Sequence, residues 1–308
     1  MRKLTFAMIL KMRAFLLFVS LSGLWVAGGA SEHALSLGAY IDPVTGLLVF
    51  LPMAVLSLVA RGQGLSIGRI LFSTGIPLGM MAILIGDQQV LAASSNIEDS
   101  SVMSAVVSIV LMGGVYGVAS SAFGYLLTPP EPTLNIDIGA SRPKVSTTKR
   151  LQSPVVFGLL VLSGFYLGGD LSVAFDATAV GLIVFFLFGF LAAAKPLNKA
   201  KIAMAAFATA GITSLIGLLG WYEAEIGDPW VASMVVSGPV IGLFVYISLL
   251  FDQLLLGGDE DFDTTRMNWH WVELVSFLTF MLFSPATLLE RVEENAKASS
   301  PSFSEVAQ

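Results

Sequence analysis

The sequence predicts an all-α membrane protein that crosses the lipid bilayer several times, and three observations support this fold class. Hydrophobic residues make up 55% of the chain, charged residues 12%, and the mean hydropathy is +0.81. Soluble domains carry about 25% charged residues. The apolar residues form long stretches, and most charges lie in the segments between them. This pattern excludes an ordinary soluble enzyme, a disordered protein and a nucleic-acid-binding protein, which needs a basic face.

Eight apolar stretches approach the length of about 20 residues that a membrane-spanning helix needs. They lie, in chain order, at roughly 14–29, 43–60, 70–86, 102–127, 154–168, 176–194, 202–220 and 230–254. A ninth apolar run at 269–289 is either a further span or an amphipathic helix at the membrane surface. Glu273 lies inside this run, and a charge at the centre of a span costs about 2.5–3.5 kcal/mol. We therefore favour the amphipathic helix.

The charges between the spans predict how the chain is oriented. With the N-terminus in the cytoplasm, basic residues lie in the inner segments, and the outer loops contain aspartate and glutamate but neither lysine nor arginine. The four outer loops are 30–42, 87–101, 169–175 and 221–229. This distribution follows the positive-inside rule and predicts a multi-pass protein of the bacterial inner (cytoplasmic) membrane. The basic N-terminus and the apolar run after it also fit a cleaved signal peptide, but an internal repeat in the chain requires this helix.

Residues 14–127 and 154–255 follow the same plan, which indicates an internal repeat of four helices. In each copy the first helix ends near a Gly-Gly pair, and an aspartate, Asp42 or Asp176, is placed to cap the second helix at the outer mouth. The matching short motifs are GIPLG (75–79) and TSLIG (213–217) in the third helices, and SAVVS (104–108) and SMVVS (233–237) in the fourth. Because each copy has an even number of spans, both insert in the same direction, as parallel repeats.

The repeat divides the chain into four regions. Residues 1–127 form the first unit, 128–153 a proline-rich and basic cytoplasmic linker, 154–255 the second unit, and 256–308 an acidic C-terminal tail. The tail contains the apolar run at 269–289. The fold class is therefore eight transmembrane helices in two parallel four-helix repeats, followed by an amphipathic helix or a ninth span.

Three segments of the first unit resemble the flagellar stator A subunits (MotA/PomA), which belong to the MotA/TolQ/ExbB type of proton channel. The segment GASEHALSLGAYIDPVTGLLVFLPMAVLSLVARG resembles their first outer loop and second helix. The segments GIPLGMMAILIGDQQ and SAVVSIVLMGGVYGVASSAFGYLL resemble their third and fourth helices. The family proline of the third helix falls on Pro77, and the Tyr-Gly pair of the fourth on Tyr116-Gly117. The second unit departs from this pattern, since Leu215 replaces the proline and Ile247 follows Tyr246.

The resemblance implies a membrane subunit of a proton-channel or energy-coupling complex. Family members form rings around a single-span partner (MotB-like or ExbD-like), and the partner supplies the acidic residue that carries the proton. The large cytoplasmic domain with which the flagellar family turns its rotor has no counterpart here, because only 61–69 and 195–201 occupy its place. The resemblance therefore does not extend to torque on a rotor, and the powered process and coupling ion stay open.

The candidate channel-lining residues lie on the third and fourth helices of both units. They are Ser73, Thr74, Pro77 and Tyr116 in the first unit, and Thr213, Ser214 and Tyr246 in the second. The family resemblance singles out Thr74, Pro77 and Thr213 as facing the partner's carboxylate. An alternative interpretation is that the hydroxyls bond to carbonyls of their own helix. The chain has no cysteine, two histidines and no catalytic motif, so we expect neither an enzyme nor a bound cofactor or metal.

Two other functions remain open at the level of the sequence. A secondary transporter can also consist of parallel repeats with its site between them, but such proteins place ionisable residues in the middle of a span. The predicted spans have almost none there. The third possibility is a membrane scaffold that does not conduct ions.

Overall fold

A computed structural model describes residues 42–61, 65–94, 100–128, 146–167, 177–193, 198–223, 229–256 and Glu273. These residues form seven long α-helices: α1 (Pro43–Val59), α2 (Ile67–Ser94), α3 (Ser100–Leu127), α4 (Thr147–Leu167), α5 (Ala177–Ala193), α6 (Lys199–Glu223) and α7 (Pro229–Leu256). The helices coincide with seven of the eight apolar stretches. The stretch at 14–29, Asp176 and most of the run at 269–289 lie outside the described residues.

Four of the described helices contain a segment long and apolar enough to cross a membrane. The segments are Ile67–Asp87, Val110–Leu127, Lys199–Gly217 and Pro239–Leu256. Two shorter apolar helices, Pro43–Val59 and Val180–Ala193, accompany them. The predicted all-helical class, with helices suited to a membrane, is therefore confirmed for the described part of the chain.

The outer boundary of α2 differs from the sequence prediction. Asp87 was expected to begin the second outer loop, but α2 continues to Ser94 and the Asp87 side chain is fully buried. The hydropathy pattern stops at the first charge, whereas the helix continues through GDQQVLAAS, whose residues are mostly compatible with a helix. The bundle thus encloses a carboxyl group near the end of an apolar segment.

The α2–α3 pair and the α6–α7 pair form the closest helix packing in the described structure. Between the units, α1 packs against α4 and α2 packs against α7. Aromatic rings strengthen the second unit, since the buried ring of Phe157 in α4 stacks on Phe244 and meets Phe251 of α7 edge-on. The apolar core runs continuously through both units.

Large apolar side chains cover the outside of the described bundle. Phe185 and Phe188 on α5 are 74% and 68% exposed, and leucines and valines on α1, α3 and α4 are exposed in the same way. Soluble proteins rarely expose apolar patches of this extent, because each Å² costs about 25 cal/mol in water. The surface is compatible with contact to the lipid bilayer.

An ion cluster joins three helix ends on one side of the second unit. Arg150, near the start of α4, places two guanidinium nitrogens 2.5 and 2.6 Å from Asp252 Oδ1. Lys199, at the start of α6, places its Nζ 2.9 Å from Asp252 Oδ2. Asp252 lies near the end of α7, so two helix beginnings and one helix end meet here. The loop charges predict that all three ends lie on the same side of the membrane.

Candidate functional site

Glycines allow the backbones of α2 and α3 to touch. A Cβ atom on Gly79 would lie 2.9 Å from the Cα atom of Gly117, and a Cβ on Gly117 would lie 2.9 Å from that of Gly79. A Cβ on Gly124 would overlap the backbone nitrogen of Phe72. Real Cβ atoms do not approach this closely, so larger residues would push the two helices apart. Small residues serve the same purpose in other membrane helix pairs.

Ser121 of α3 forms hydrogen bonds with two backbone groups of α2 that lie four residues apart. The N–H of Ile76 donates to Ser121 Oγ at 3.1 Å, and Ser121 Oγ donates to the carbonyl of Phe72 at 3.3 Å. A regular α-helix pairs the Ile76 N–H with the Phe72 carbonyl directly. The hydroxyl can reach both groups because Gly75 has no side chain, since a Cβ there would overlap Ser121 Oγ.

Pro77 lies directly after this contact in α2. Proline has no N–H, so it cannot donate to the carbonyl of Ser73. The Ser121 contact and the missing N–H of Pro77 therefore fall on one turn of a helix that continues on both sides. Sequence reasoning identified Pro77 but missed Ser121, which small-residue spacing with Gly117 and Gly124 could have indicated.

The predicted threonine hydroxyls are buried and bond within their own helices. Thr74 Oγ1 donates to the Ile70 carbonyl at 2.8 Å, and Thr213 Oγ1 donates to the Thr209 carbonyl at 2.7 Å. This is the geometry of the alternative interpretation, in which each hydroxyl bonds to its own helix. Each oxygen still has a lone pair with which it could accept a further hydrogen bond.

The other predicted residues are also buried, but the two sets lie apart. Ser73 and Pro77 are buried in α2, and Ser214 is buried in α6. The pair α2 and α6 is not among the described helix pairs in extensive contact. A single chain therefore carries the two sets of hydroxyls at two separate places.

The register of the two helix pairs shows which residues lie at equivalent heights. A Cβ on Gly113 of α3 would lie 2.9 Å from the Cβ of Ala82 in α2, and a Cβ on Gly242 of α7 would lie 2.8 Å from that of Ala210 in α6. Gly113 and Gly242 occupy the same place after the SAVVS and SMVVS motifs. Ala82 and Ala210 are therefore structural counterparts.

Thr213 is consequently not the structural counterpart of Thr74. Thr213 lies three residues after Ala210, whereas Thr74 lies eight residues before Ala82. Eleven residues of α-helix correspond to a rise of about 16 Å. The motifs GIPLG and TSLIG thus resemble each other in sequence but lie at different heights in the two units.

The tyrosines of the two units have different environments. The Tyr116 hydroxyl accepts a hydrogen bond from the backbone N–H of Asp42 at 3.1 Å, and its ring packs on Phe50 of α1. Tyr246 is fully buried against Phe207 of α6, and its hydroxyl has no hydrogen-bond partner among the described residues. Tyr246 comes one residue later than the position equivalent to Tyr116. One residue turns a side chain by about 100° around the helix, which moves it from the α1 side to the α6 side.

Asp42 caps the first turn of α1. Its carboxylate accepts hydrogen bonds from the backbone N–H groups of Val44 and Thr45, at 3.3 and 3.0 Å, and from the Thr45 hydroxyl. Pro43 occupies the first helical position, where no N–H is needed. The N-terminus of a helix favours an anion, so this arrangement accounts for the aspartate at the start of α1.

Carboxylates are absent from the middle of the described helices. Asp42 and Asp252 lie at helix ends, and the buried Asp87 closes the apolar segment that begins at Ile67. Glu273 is also buried, within the run at 269–289. Neither buried carboxyl lies at the centre of a described span, so the expectation that mid-span ionisable residues are nearly absent stays a prediction; the burial of Asp87, expected in an outer loop, is the correction.

The α2–α3 pair therefore combines tight backbone packing with polar groups inside an apolar bundle. The Ser121 hydroxyl and the backbone groups of Phe72 and Ile76 hydrogen-bond to one another, and none of them can supply a titrating charge. No protein-family model, curated protein or solved structure matches the chain. The function must be inferred from the residues themselves.

Proposed function

We propose that the chain is a membrane subunit of a proton-channel or energy-coupling complex that resembles the flagellar stator A subunit. In this proposal a single-span partner supplies the carboxyl group that takes up and releases the proton. The observation that carries the proposal is the hydrogen-bonded contact of Ser121 with Phe72 and Ile76 of α2, next to Pro77, in a segment without a central carboxylate. From Ile67 to Gly86, α2 has polar groups for a proton path but no acidic residue.

The turn of α2 that contains Pro77 supports a place for a partner's carboxyl. Pro77 offers no N–H to the Ser73 carbonyl, and membrane helices accommodate a proline through hydrogen bonds from neighbouring groups. The Thr74 hydroxyl lies on the same turn and keeps an accepting lone pair. Polar groups of this kind support proton transfer along hydrogen bonds, while the surrounding apolar residues exclude bulk water.

The two units support a fused pair of stator-like subunits. Both contain a tightly packed pair formed by the third and fourth predicted helices, and the ion cluster brings three predicted cytoplasmic ends together. The orientation with a cytoplasmic N-terminus and the location in a bacterial inner membrane rest on the loop charges. The short inner loops at 61–69 and 195–201 leave the powered process open.

Proton flux in liposomes tests this proposal. The purified chain alone should pass no protons, whereas the chain isolated in mild detergent with a bound single-span protein should pass them. In that complex Ser121→Ala and Pro77→Leu should lower the flux about fivefold or more, because they remove the hydroxyl contact with α2 and the proline beside it. Ser163→Ala is the matched control, since this serine is exposed and bonds to the Leu159 carbonyl of its own helix. Proton passage by the chain alone would refute the need for a partner's acid.

A secondary transporter is the second candidate, and the buried Asp87 favours it. A carboxyl group inside a helical bundle can bind a coupling ion without a partner. Uptake of a substrate by the isolated chain, abolished by Asp87→Asn, would support the transporter and contradict the channel subunit. A chain that neither transports nor conducts with any co-purified partner would be a scaffold.

A further inference from the structure

The contact between α4 and α7 changes in character along its length. At the start of α4, a guanidinium nitrogen of Arg150 lies 2.5 Å from Asp252 Oδ1, near the end of α7. Farther along α4, the Phe157 ring stacks on Phe244 with 5.5 Å between the ring centroids, and it meets Phe251 edge-on at 5.9 Å. The contact is therefore ionic at the cluster and aromatic about two turns deeper in the bundle.

Ser153 and Ser248 lie between these two contacts, one on each helix. Ser153 comes three residues after Arg150 and four before Phe157. Ser248 comes four residues before Asp252 and four after the ring of α7 that stacks on Phe157. Residues three or four apart share one face of a helix, so both serines lie on the faces through which α4 and α7 touch. Both lie at a similar height, because each is about 4.5–6 Å along its helix from the ion pair.

Both serine hydroxyls are buried, and neither has a hydrogen-bond partner among the described residues. Ser153 is 0% exposed. By contrast, the hydroxyl of Ser163, also on α4, donates to the Leu159 carbonyl at 2.7 Å. Buried polar atoms are nearly always paired, and an unpaired one indicates a bound water or ion, because leaving it unpaired costs about 1–3 kcal/mol. Two such hydroxyls at one height therefore indicate a shared ligand.

The chemistry beside the two hydroxyls selects water as this ligand. Pro154 has no N–H, so the Arg150 carbonyl, on the same turn as Ser153, does not receive its helical hydrogen bond. Two hydroxyls and one carbonyl offer both donors and acceptors, as a buried water requires. The positive charges of Arg150 and Lys199 disfavour a free cation here, and the carboxylate of Asp252 disfavours an anion.

We propose that Ser153, Ser248 and the Arg150 carbonyl hold water inside the contact between α4 and α7. This α4–α7 water site opens at the ion cluster and ends at the Phe157 ring. The side chains of Arg150 and Asp252 are 28% and 18% exposed, so solvent reaches the cluster, whereas the buried ring offers water no hydrogen bond. Under the proposed function the site gives protons a hydrated entry to the second unit, and only this consequence rests on that function.

Silver ions test whether water reaches the two serines, because the natural chain contains no cysteine. Membranes that contain Ser153→Cys or Ser248→Cys are treated with silver nitrate, and the thiols left free are labelled with a fluorescent maleimide after denaturation. Val161→Cys is the matched control, since Val161 is buried on the same face of α4, one turn beyond Phe157. Both serine variants should react about tenfold faster than the control, because a thiolate forms readily only in a hydrated site. Equal rates in all three variants would refute the proposal.

The Phe157 ring is tested in the Val161→Cys chain. Phe157→Leu keeps an apolar side chain but leaves a gap, so the silver reaction of Val161→Cys should become about fivefold faster, while that of Ser153→Cys stays the same. Phe165→Leu is the matched control, since Phe165 is a buried ring two turns farther along α4, and it should change neither rate. An unchanged Val161→Cys rate with Phe157→Leu would overturn the ring as the end of the site. Both measurements use the chain without a partner and without proton flux, so the α4–α7 water site and the proposed channel can fail separately.

Discussion

The α2–α3 pair of the first unit and the α6–α7 pair of the second achieve close packing in different ways. The first pair uses glycine on both helices, with Gly79 against Gly117, and brings the Ser121 hydroxyl within hydrogen-bond distance of two backbone groups of α2. The second pair places a single described glycine, Gly242, against Ala206 and Ala210. Glycine permits a closer approach of two helices than alanine does. The difference shows that close packing in the first pair comes with a polar contact between its helices.

The largest loss of stability should come from adding a side chain to a glycine at the contact between α2 and α3. Gly124→Ala would place a Cβ on top of the Phe72 nitrogen, so α2 and α3 must separate, and the free energy of unfolding should fall by about 3 kcal/mol. Reversible unfolding in mixed detergent measures this change. Gly189→Ala, which meets no described atom within 4 Å, serves as the control and should cost nothing. Equal stability of the two variants would show that α2 and α3 can separate freely.

A smaller loss of stability is expected when Ser121 is replaced. Ser121→Ala removes the bridge between Ile76 and Phe72 and should lower the free energy of unfolding by about 1–3 kcal/mol, the cost of leaving buried polar groups unpaired. Hydrogen exchange at the Ile76 amide should become faster. Ser163→Ala, at an exposed site, should change stability by less than about 0.5 kcal/mol. Unchanged exchange at Ile76 would mean that the serine does not protect this amide, and that the two pairs are alike in this respect.

The smallest changes in the free energy of unfolding should come from Tyr116 and Tyr246, and these two changes should differ in sign. Tyr116→Phe removes the hydrogen bond to the Asp42 N–H and should cost about 0.5–1.5 kcal/mol. Tyr246→Phe removes a buried hydroxyl that has no partner within the described helices and should leave stability unchanged or raise it. Thermal unfolding of both variants in the same detergent compares them. A loss of stability for Tyr246→Phe would reveal a hydrogen bond that the second unit makes after all.

The sequence was sufficient to predict the helices, because apolar length and the placement of charges depend only on local residues. Gly75, Gly79, Gly113 and Gly117 all face the neighbouring helix, and their four-residue spacing is visible in the sequence itself. The hydrogen bonds between Ser121 and the α2 backbone could not be predicted, since they depend on the register between two helices. The depth of Asp87 was missed for a related reason, because hydropathy ends a span at a charge whereas packing can bury it.

The similarity of GIPLG and TSLIG shows a further limit of sequence reasoning. Both motifs consist mostly of small and apolar residues within helices. The sequence alone therefore does not show whether the two motifs lie at the same height in the two units. Only the glycine contacts, Gly113 on Ala82 and Gly242 on Ala210, fix the relative heights. The site residues chosen in the second unit by motif similarity therefore stay a prediction, to be tested separately from those of the first unit.

Within one chain, Gly164 lies where two different faces of the two units meet. This arrangement restricts the number of units that a larger assembly can contain. Any closed assembly built from this chain would contain an even number of units, and glycine-rich and alanine-rich helix pairs would alternate around it. The two kinds of helix pair would therefore hold non-equivalent places in such an assembly, however many copies take part.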